Sequence, residues 1–200
     1  PSVRAFGTAL ATSGPGGQNL VTPIANCFYD SVPALFITGQ VHSKFMGDGS
    51  TRQVGFQETP ITDVVKPITK AAHLLTQAED ARWVMDWLIE EMFKGRPGPV
   101  LLDVPQDIQK VEIDPLTLKG YGRSIVHADR GEISTFVDFV VEGLLHSSRP
   151  ALLVGGGSRG SDIAAFARYL AIPAFPTWNA LDIISSDHPL YGGRIGTYGM

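Results

Sequence analysis

The sequence is organised around one stretch, Ala9–Val41, which reads ALATSGPGGQNLVTPIANCFYDSVPALFITGQV. An apolar run, Ala9–Thr12, leads into Ser13-Gly14-Pro15-Gly16-Gly17. A helix is predicted from about Asn19, with Leu20, Ile24 and Phe28 sharing one face. Asp30-Ser31-Val32-Pro33 ends that helix, and Ala34–Thr38 makes a second apolar strand closing on Gly39-Gln40. Two apolar strands joined by one helix predict a parallel βαβ unit with a right-handed crossover. Glycines at the carboxyl end of the first strand let a ligand approach the backbone, and the helix start supplies free N–H groups. A side chain at Gly16 is expected to fill that ligand space and to strain the turn. The same pattern also makes a tight turn that binds nothing.

The rest of the chain continues the alternation. The first strand starts almost at once, with no helix before it to cover the sheet, so the chain is expected to open inside a fold. His42–Gly55 is polar and reads as an irregular loop. Thr62 is a predicted helix cap, and Pro67 closes that segment. A short strand is predicted within Ile68–Leu75. The clearest helix follows Gln77-Ala78-Glu79-Asp80, with an apolar stripe through Ala81, Val84, Met85, Leu88, Ile89 and Met92. Trp83 and Trp87 flank the stripe and are expected to pack. Val100–Val104 reads as a buried strand. Pro115, Gly120 and Gly122 lie in a stretch of mixed charge that is long for a loop, which predicts a domain crossing. The domains are thus expected at residues 1–115 and 132–200, with a linker over 116–131. The second unit repeats the pattern: a helix after Glu132, a strand at Pro150–Val154, a glycine turn, a helix at Asp162–Leu170 and a strand at Ile172–Pro176.

Composition excludes several classes. An apolar fraction of 44% with 18% charged residues is that of a globular protein with a core to build. A net charge of −4, spread along the chain, gives no footprint for nucleic acid. No apolar run reaches the ~18 residues of a membrane span. One cysteine, Cys27, cannot pair internally, which fits a reducing cytoplasm; it reads as a small core residue.

Four motifs in one order are more specific than any of them alone: ATSGPGGQN, DSVPALFITGQV, GFQETPI and GRPGPVLLDVPQDIQ. In this order they resemble the thiamine-diphosphate-dependent enzymes of the acetolactate synthase type, from about Ala9 to Gln109 and more weakly from Pro150 to Met200. The resemblance implies an α/β fold: most of a pyrimidine-binding domain with a parallel sheet flanked by helices, then part of a second, Rossmann-like domain. It implies an enzyme that cleaves or ligates carbon–carbon bonds of 2-keto acids, with thiamine diphosphate and Mg²⁺ as cofactors, a homodimer or tetramer as the assembly, and no membrane.

Carried over by motif, Gly14, Pro15, Gly16 and Asn19 face the pyrimidine end of the cofactor, and Phe56 and Gln57 lie beside the thiazolium and substrate. Gln57 can hydrogen-bond a substrate carbonyl or hydroxyl; as a plain amide it would only fix its loop. Ser31 and Arg96 match positions that contact flavin in flavin-bearing members. Gly155, Gly156 and Gly157 match the middle-domain turn that holds FAD in several members and nothing in others. Thr177, Gly196 and Tyr198 match later flavin-side segments, although the family often has histidine where this chain has Tyr198. Read without the family, Gly155-x-Gly157-x-x-Gly160 also fits a dinucleotide fingerprint, with Asp182 near the spacing of a ribose-binding acid.

Two parts of thiamine chemistry are expected from outside these residues. The family's activating glutamate lies upstream of the SGPG turn, whereas the first glutamate here is Glu58. The family's metal motif pairs GDG with a downstream asparagine, and Gly47-Asp48-Gly49 has none at that distance, so it reads as a loop turn. No metal ligand is therefore predicted in this chain, and the chain alone is expected to be inactive. Two departures touch the substrate entrance: His42-Ser43-Lys44 with a longer run to Phe56, and Gln106 in place of the family's lysine. They leave His42 a weak catalytic candidate and point to a different keto acid or acceptor. The competing reading is a non-catalytic nucleotide- or flavin-binding module, or a partner subunit.

Overall fold

A computed structural model describes residues 5–122 and 130–196. The chain divides into two compact units, Pro1–Ser124 and Ile125–Met200.

The first unit is built on four parallel strands: β1 (Gly7–Ala11), β2 (Ala34–Gln40), β3 (Ala71–Leu74) and β4 (Pro99–Pro105), in the order β1-β2-β4-β3. The predicted βαβ unit is present, with β1 paired in parallel to β2, Leu10 opposite Ile37. Its crossover contains two helices rather than one, α1 (Pro15–Asn19) and α2 (Val21–Asp30). The helix starts four residues before the predicted Asn19 because Pro15, with φ preset, occupies the first turn. The other helices are α3 (Ile61–Val65) and α4 (Ala81–Phe93). Pro60, not Thr62, stands at the start of α3, and Thr62 lies within it.

The two central strands show why such runs are apolar throughout. Leu35, Val100 and Leu102 pack under α4 with Val84, Leu88 and Met92. Ala34, Phe36 and Leu101, pointing the other way, pack with Ile24 of α2 and with Ile61 and Val65 of α3. Each strand therefore feeds two cores by its period-two alternation. Trp83 and Trp87 stack with centroids 6.1 Å apart, and Tyr121 meets Trp83 edge-on at 5.2 Å. The tryptophan pair is packing, as predicted. Arg82 donates to the Pro115 and Leu118 carbonyls, so the chain beyond residue 115 still runs along α4. Cys27 packs against the second core, and burial raises its thiol pKa, with Asp30 adding to the effect.

The second unit contains α5 (Arg130–His146), β5 (Leu152–Val154), α6 (Ile163–Leu170) and β6 (Ala174–Pro176), with β5 and β6 parallel. Val154, Ala167, Ala174, Ala180 and Ile184 form its small core. No helix among the described residues is long and apolar enough to cross a membrane.

Candidate functional site

Ligands of open parallel sheets bind beyond the carboxyl ends of the strands. That edge of the first unit holds a cleft of about 980 Å³, walled by the ends of β1, β2 and β4 and by the loop that carries Phe56 and Gln57. Thr12 and Ser13 line one side, Gly39, Gln40 and Val41 the floor, and Gln106 and Gln109 the far wall. His42 is the single ordinarily titratable side chain in this lining; the others are apolar or neutral amides and hydroxyls. A neutral wall suits an aromatic heterocycle or a small uncharged group, and it offers nothing to a diphosphate.

Gly14, just behind the lining residue Ser13, is packed directly against Gln57. Both have left-handed backbones, with φ of 60° and 62°. A Cβ on Gly14 would lie 2.7 Å from the Gln57 Cβ and 2.9 Å from the Gln57 carbonyl oxygen. Glycine is required there twice over, for the angle and for the space. The strain predicted at Gly16 belongs instead to Gly14. Gly16 lies within α1 outside the left-handed region, and a Cβ there would meet the end of the Thr12 side chain at 2.8 Å. None of the residues assigned to the pyrimidine side lines the cleft: Gly14 touches the Gln57 loop behind Ser13, and Pro15, Gly16 and Asn19 lie along α1. Phe56 projects with 86% of its surface exposed, an unusual position for a large apolar ring.

The loop before Phe56 is clasped by Glu58. Its carboxylate accepts the N–H groups of Gly47 (2.6 Å), Val54 (2.7 Å) and Gly55 (3.2 Å). The backbone N–H of Val54, followed by that of Gly47, lowers the Glu58 pKa. Asp107, just beyond β4, plays a similar part at the other end of the loop. It accepts the Ser43 N–H at 2.9 Å and the Ser43 hydroxyl at 3.0 Å. His42 stands on the rim with Nδ1 accepting the Lys44 N–H at 3.3 Å and lying 3.7 Å from Asp107. Its ring is engaged with its own loop. Gly47-Asp48-Gly49 is a turn in which Asp48 accepts the Ser50 N–H at 2.9 Å.

Beneath the cleft lies a polar group that a reading of the sequence passes over. Asp103 is 2% exposed, in the middle of β4. Oδ1 accepts the Thr38 hydroxyl at 2.7 Å, and Oδ2 accepts Gln40 Nε2 at 2.9 Å. Burial raises the Asp103 pKa in spite of both donors. A carboxylate inside an otherwise apolar run, VLLDV, is the signal that marks it.

Ser31 and Arg96 are also brought together, but elsewhere. Arg96 Nε donates to Ser31 Oγ at 2.6 Å and Nη2 to the Tyr29 carbonyl at 3.1 Å. Both residues precede the amino ends of their strands, so a strand length, roughly 20 Å, separates them from the cleft.

In the second unit, the glycine turn packs on the loop after β6: a Cβ at Gly156 would lie 3.0 Å from the Asn179 carbonyl. Thr177, Trp178, Asn179, Ile195 and Gly196 line a separate cavity of about 380 Å³. Tyr198 lies outside the described residues. The dinucleotide fingerprint does not have the matching geometry. Gly155 to Gly160 does not open directly onto a helix; α6 starts at Ile163, and its first turn is filled by Asp162, which accepts the Ala165 N–H at 2.9 Å. Asp182 accepts from both terminal guanidinium nitrogens of Arg159, one bond at 2.8 Å, which lowers its pKa.

The first unit is thus a parallel sheet with a neutral cleft at its carboxyl edge, and the second a smaller α/β unit. Comparison names the class. Residues 2–65 match the thiamine pyrophosphate enzyme, N-terminal TPP binding domain, and residues 137–200 match the thiamine pyrophosphate enzyme, central domain. The chain belongs to the thiamine pyrophosphate enzymes. Within them it is similar to the acetolactate synthase large subunit of Corynebacterium glutamicum, 37% identical over 202 residues that cover 96% of this chain and 31% of the relative. Acetolactate synthase 2, chloroplastic, of Zea mays is 36% identical over 96% of this chain and 30% of the relative. Acetolactate synthase, chloroplastic, of Arabidopsis thaliana is 36% identical over 96% of this chain and 29% of the relative. The chain thus spans about 30% of the length of these relatives.

Proposed function

We propose that the protein carrying this chain is a thiamine-diphosphate-dependent enzyme of the acetolactate synthase kind, a transferase or lyase acting on 2-keto acids. In this reading the chain supplies the pyrimidine-side and substrate-side wall of the site. The observation that carries it is the packing of the Gln57 loop against the Gly14 turn at the mouth of the cleft. Thiamine diphosphate, when bound, supplies the nucleophilic carbon that attacks the keto group. The neutral lining fits its heterocyclic end, so Gly14 and the adjoining turn would face the pyrimidine. Gln57 would donate its amide N–H to the substrate's keto or hydroxyl oxygen. Phe56 would keep water from the reacting centre once covered.

The same lining offers no cation for a diphosphate and no carboxylate for Mg²⁺, so both are assigned to residues beyond this chain, as is the activating acid. The exposed ring of Phe56 and the half-open cleft favour a homodimer or tetramer in which a neighbouring subunit supplies the opposite wall. A reducing, cytoplasm-like compartment is consistent with the single partly buried thiol of Cys27. For FAD, Thr177 and Gly196 would form one end of a site. Their cavity is at the small end of the ~300–1,000 Å³ usual for ligand pockets, enough for one ring system and not for an extended dinucleotide.

Gln57→Ala in the full-length enzyme tests the central claim. With pyruvate, Mg²⁺ and thiamine diphosphate, kcat/KM is expected to fall roughly tenfold to a hundredfold, the loss of one hydrogen bond made at the reacting centre. Cofactor affinity should stay unchanged. A variant with normal kcat/KM would reduce Gln57 to a loop-fixing amide.

A further inference from the structure

We propose that Asp103 is a positioning residue that holds the Gln57 loop in place through the side chain of Gln40 and the carbonyl of Thr59. The proposal rests on the reading of Gln57 as a substrate-side residue.

β4 is a central strand with apolar residues at Val100, Leu101 and Leu102. A carboxylate at the next position is costly to bury and contributes no apolar packing. Its effect lies in the orientation it imposes. An ionised carboxylate only accepts hydrogen bonds, so Gln40 must present its Nε2 and not its Oε1 to Asp103. The second Nε2 hydrogen then donates to the Thr59 carbonyl at 2.7 Å. Gln40 Oε1, on the other side of the amide, accepts the Val41 N–H at 2.9 Å. All three contacts agree on one sense of the amide.

Thr59 is where this orientation reaches the cleft. Its carbonyl also accepts the Ile61 N–H at 2.7 Å, and its hydroxyl accepts from Gln18 Nε2 at 3.4 Å. Two residues earlier, Gln57 sits in a left-handed conformation that glutamine rarely adopts, pressed against Gly14. A strained residue persists only where its neighbours over-determine it. Here Thr59 is fixed from below by Asp103 and Gln40, and the preceding loop is fixed by Glu58. Without an acceptor at residue 103, the Gln40 amide loses the partner that fixes its sense, and the loop loses the anchor at the Thr59 carbonyl.

Asp103→Leu makes that change while keeping the branched shape; Asp103→Asn does not, because its amide can keep Oδ1 toward Gln40 and donate Nδ2 to the Thr38 hydroxyl. Thr38→Val is the control: it removes the other donor to Asp103 and leaves the sense of the Gln40 amide alone. Both are measured in the full-length enzyme, first by hydrogen exchange at the Gly55, Glu58 and Ile61 amides without substrate. Asp103→Leu is expected to lower protection there about tenfold, the scale of one lost buried hydrogen bond. Thr38→Val should lower the thermal midpoint and leave those amides as they were. With pyruvate, Asp103→Leu should also lose about tenfold in kcat/KM, as expected for a misplaced group, with thiamine-diphosphate affinity unchanged. Should Asp103→Leu fail to fold, Gln40→Met cuts the same relay at its next joint and must give the same loop exchange. Unchanged protection in Asp103→Leu, or equal loosening in Thr38→Val, overturns the relay. Faster exchange with normal kinetics upholds the relay and removes Gln57 from the substrate side.

Discussion

The two units carry the same sequence device, a strand running into clustered glycines and then a helix, and use it differently. In the first unit Gly14 has a left-handed backbone and faces the Gln57 loop at a distance no side chain tolerates. The helix α1 follows directly, with no side chain capping its first turn. In the second unit nothing lies within 4 Å of a Cβ built on Gly155 or Gly157. There the helix is delayed, and Asp162 caps it. Glycine is thus obligatory in one turn, at the point where a second loop closes over it, and at two of the three positions in the other turn it is only permitted. Both turns meet a second loop; the difference is that the Gln57 loop presses on a left-handed glycine at 2.7 Å, whereas the loop after β6 reaches only Gly156, at 3.0 Å.

The largest effect expected from this contrast is at Gly14. Gly14→Ala adds a left-handed non-glycine residue and a collision with backbone, together roughly 2–4 kcal/mol of stability. A denaturation midpoint within experimental error of wild type would show that the Gln57 loop simply moves away, and the comparison would fail.

A smaller effect is expected where the loop is clasped. Glu58 has its pKa lowered by the backbone N–H groups it accepts. Its contribution is therefore complete above the pKa of an unfolded glutamate and is lost as pH falls through the lower folded value. Glu58→Gln should loosen residues 47–55 at neutral pH, read as faster amide exchange, and the gap from wild type should close in acid. Asp103 runs the other way: its raised pKa means that the stability linked to its proton is complete below the unfolded value and lost as pH rises through the folded one. A gap for Glu58→Gln that persisted at low pH would mean that the carboxylate's charge is irrelevant to the clasp.

The smallest effect is expected at Gly157. Gly157→Ala meets open space, and its backbone is outside the left-handed region, so stability should shift by less than about 0.5 kcal/mol in either direction. A loss as large as that at Gly14 would show that Gly157, like Gly156, is packed against another element.

Much of the fold is legible in the sequence, for a definite reason. β2 and β4 are buried on both faces, so FITG and VLLDV stand out as apolar runs, and the α4 stripe repeats at helical spacing. The site is less legible. Phe56 and Gln57 are found by resemblance, because a projecting phenylalanine and a left-handed glutamine leave no periodic trace. Asp103 reads as an interruption of a strand, since its two donors, Thr38 and Gln40, belong to another motif entirely. The strain at Gly14 cannot be told from Gly16 in the sequence, because what decides it is Gln57, distant in the chain.

The strand order also sets a timetable for folding. Thr38 and Asp103, bonded side by side under the cleft, are 65 residues apart in the chain. β2 can pair with β1 early, but its other neighbour is β4, made only after β3 and α4. Closing so long a loop in parallel register is slow, and the ladder gives nothing back until it is closed. On a ribosome the glycine turn therefore emerges long before β4 and the Asp103 carboxylate, and the cleft is among the last features of this unit to mature. Until residue 105 has appeared, one whole edge of β2 remains unpaired, and that interval is when the nascent chain is most exposed to wrong pairing.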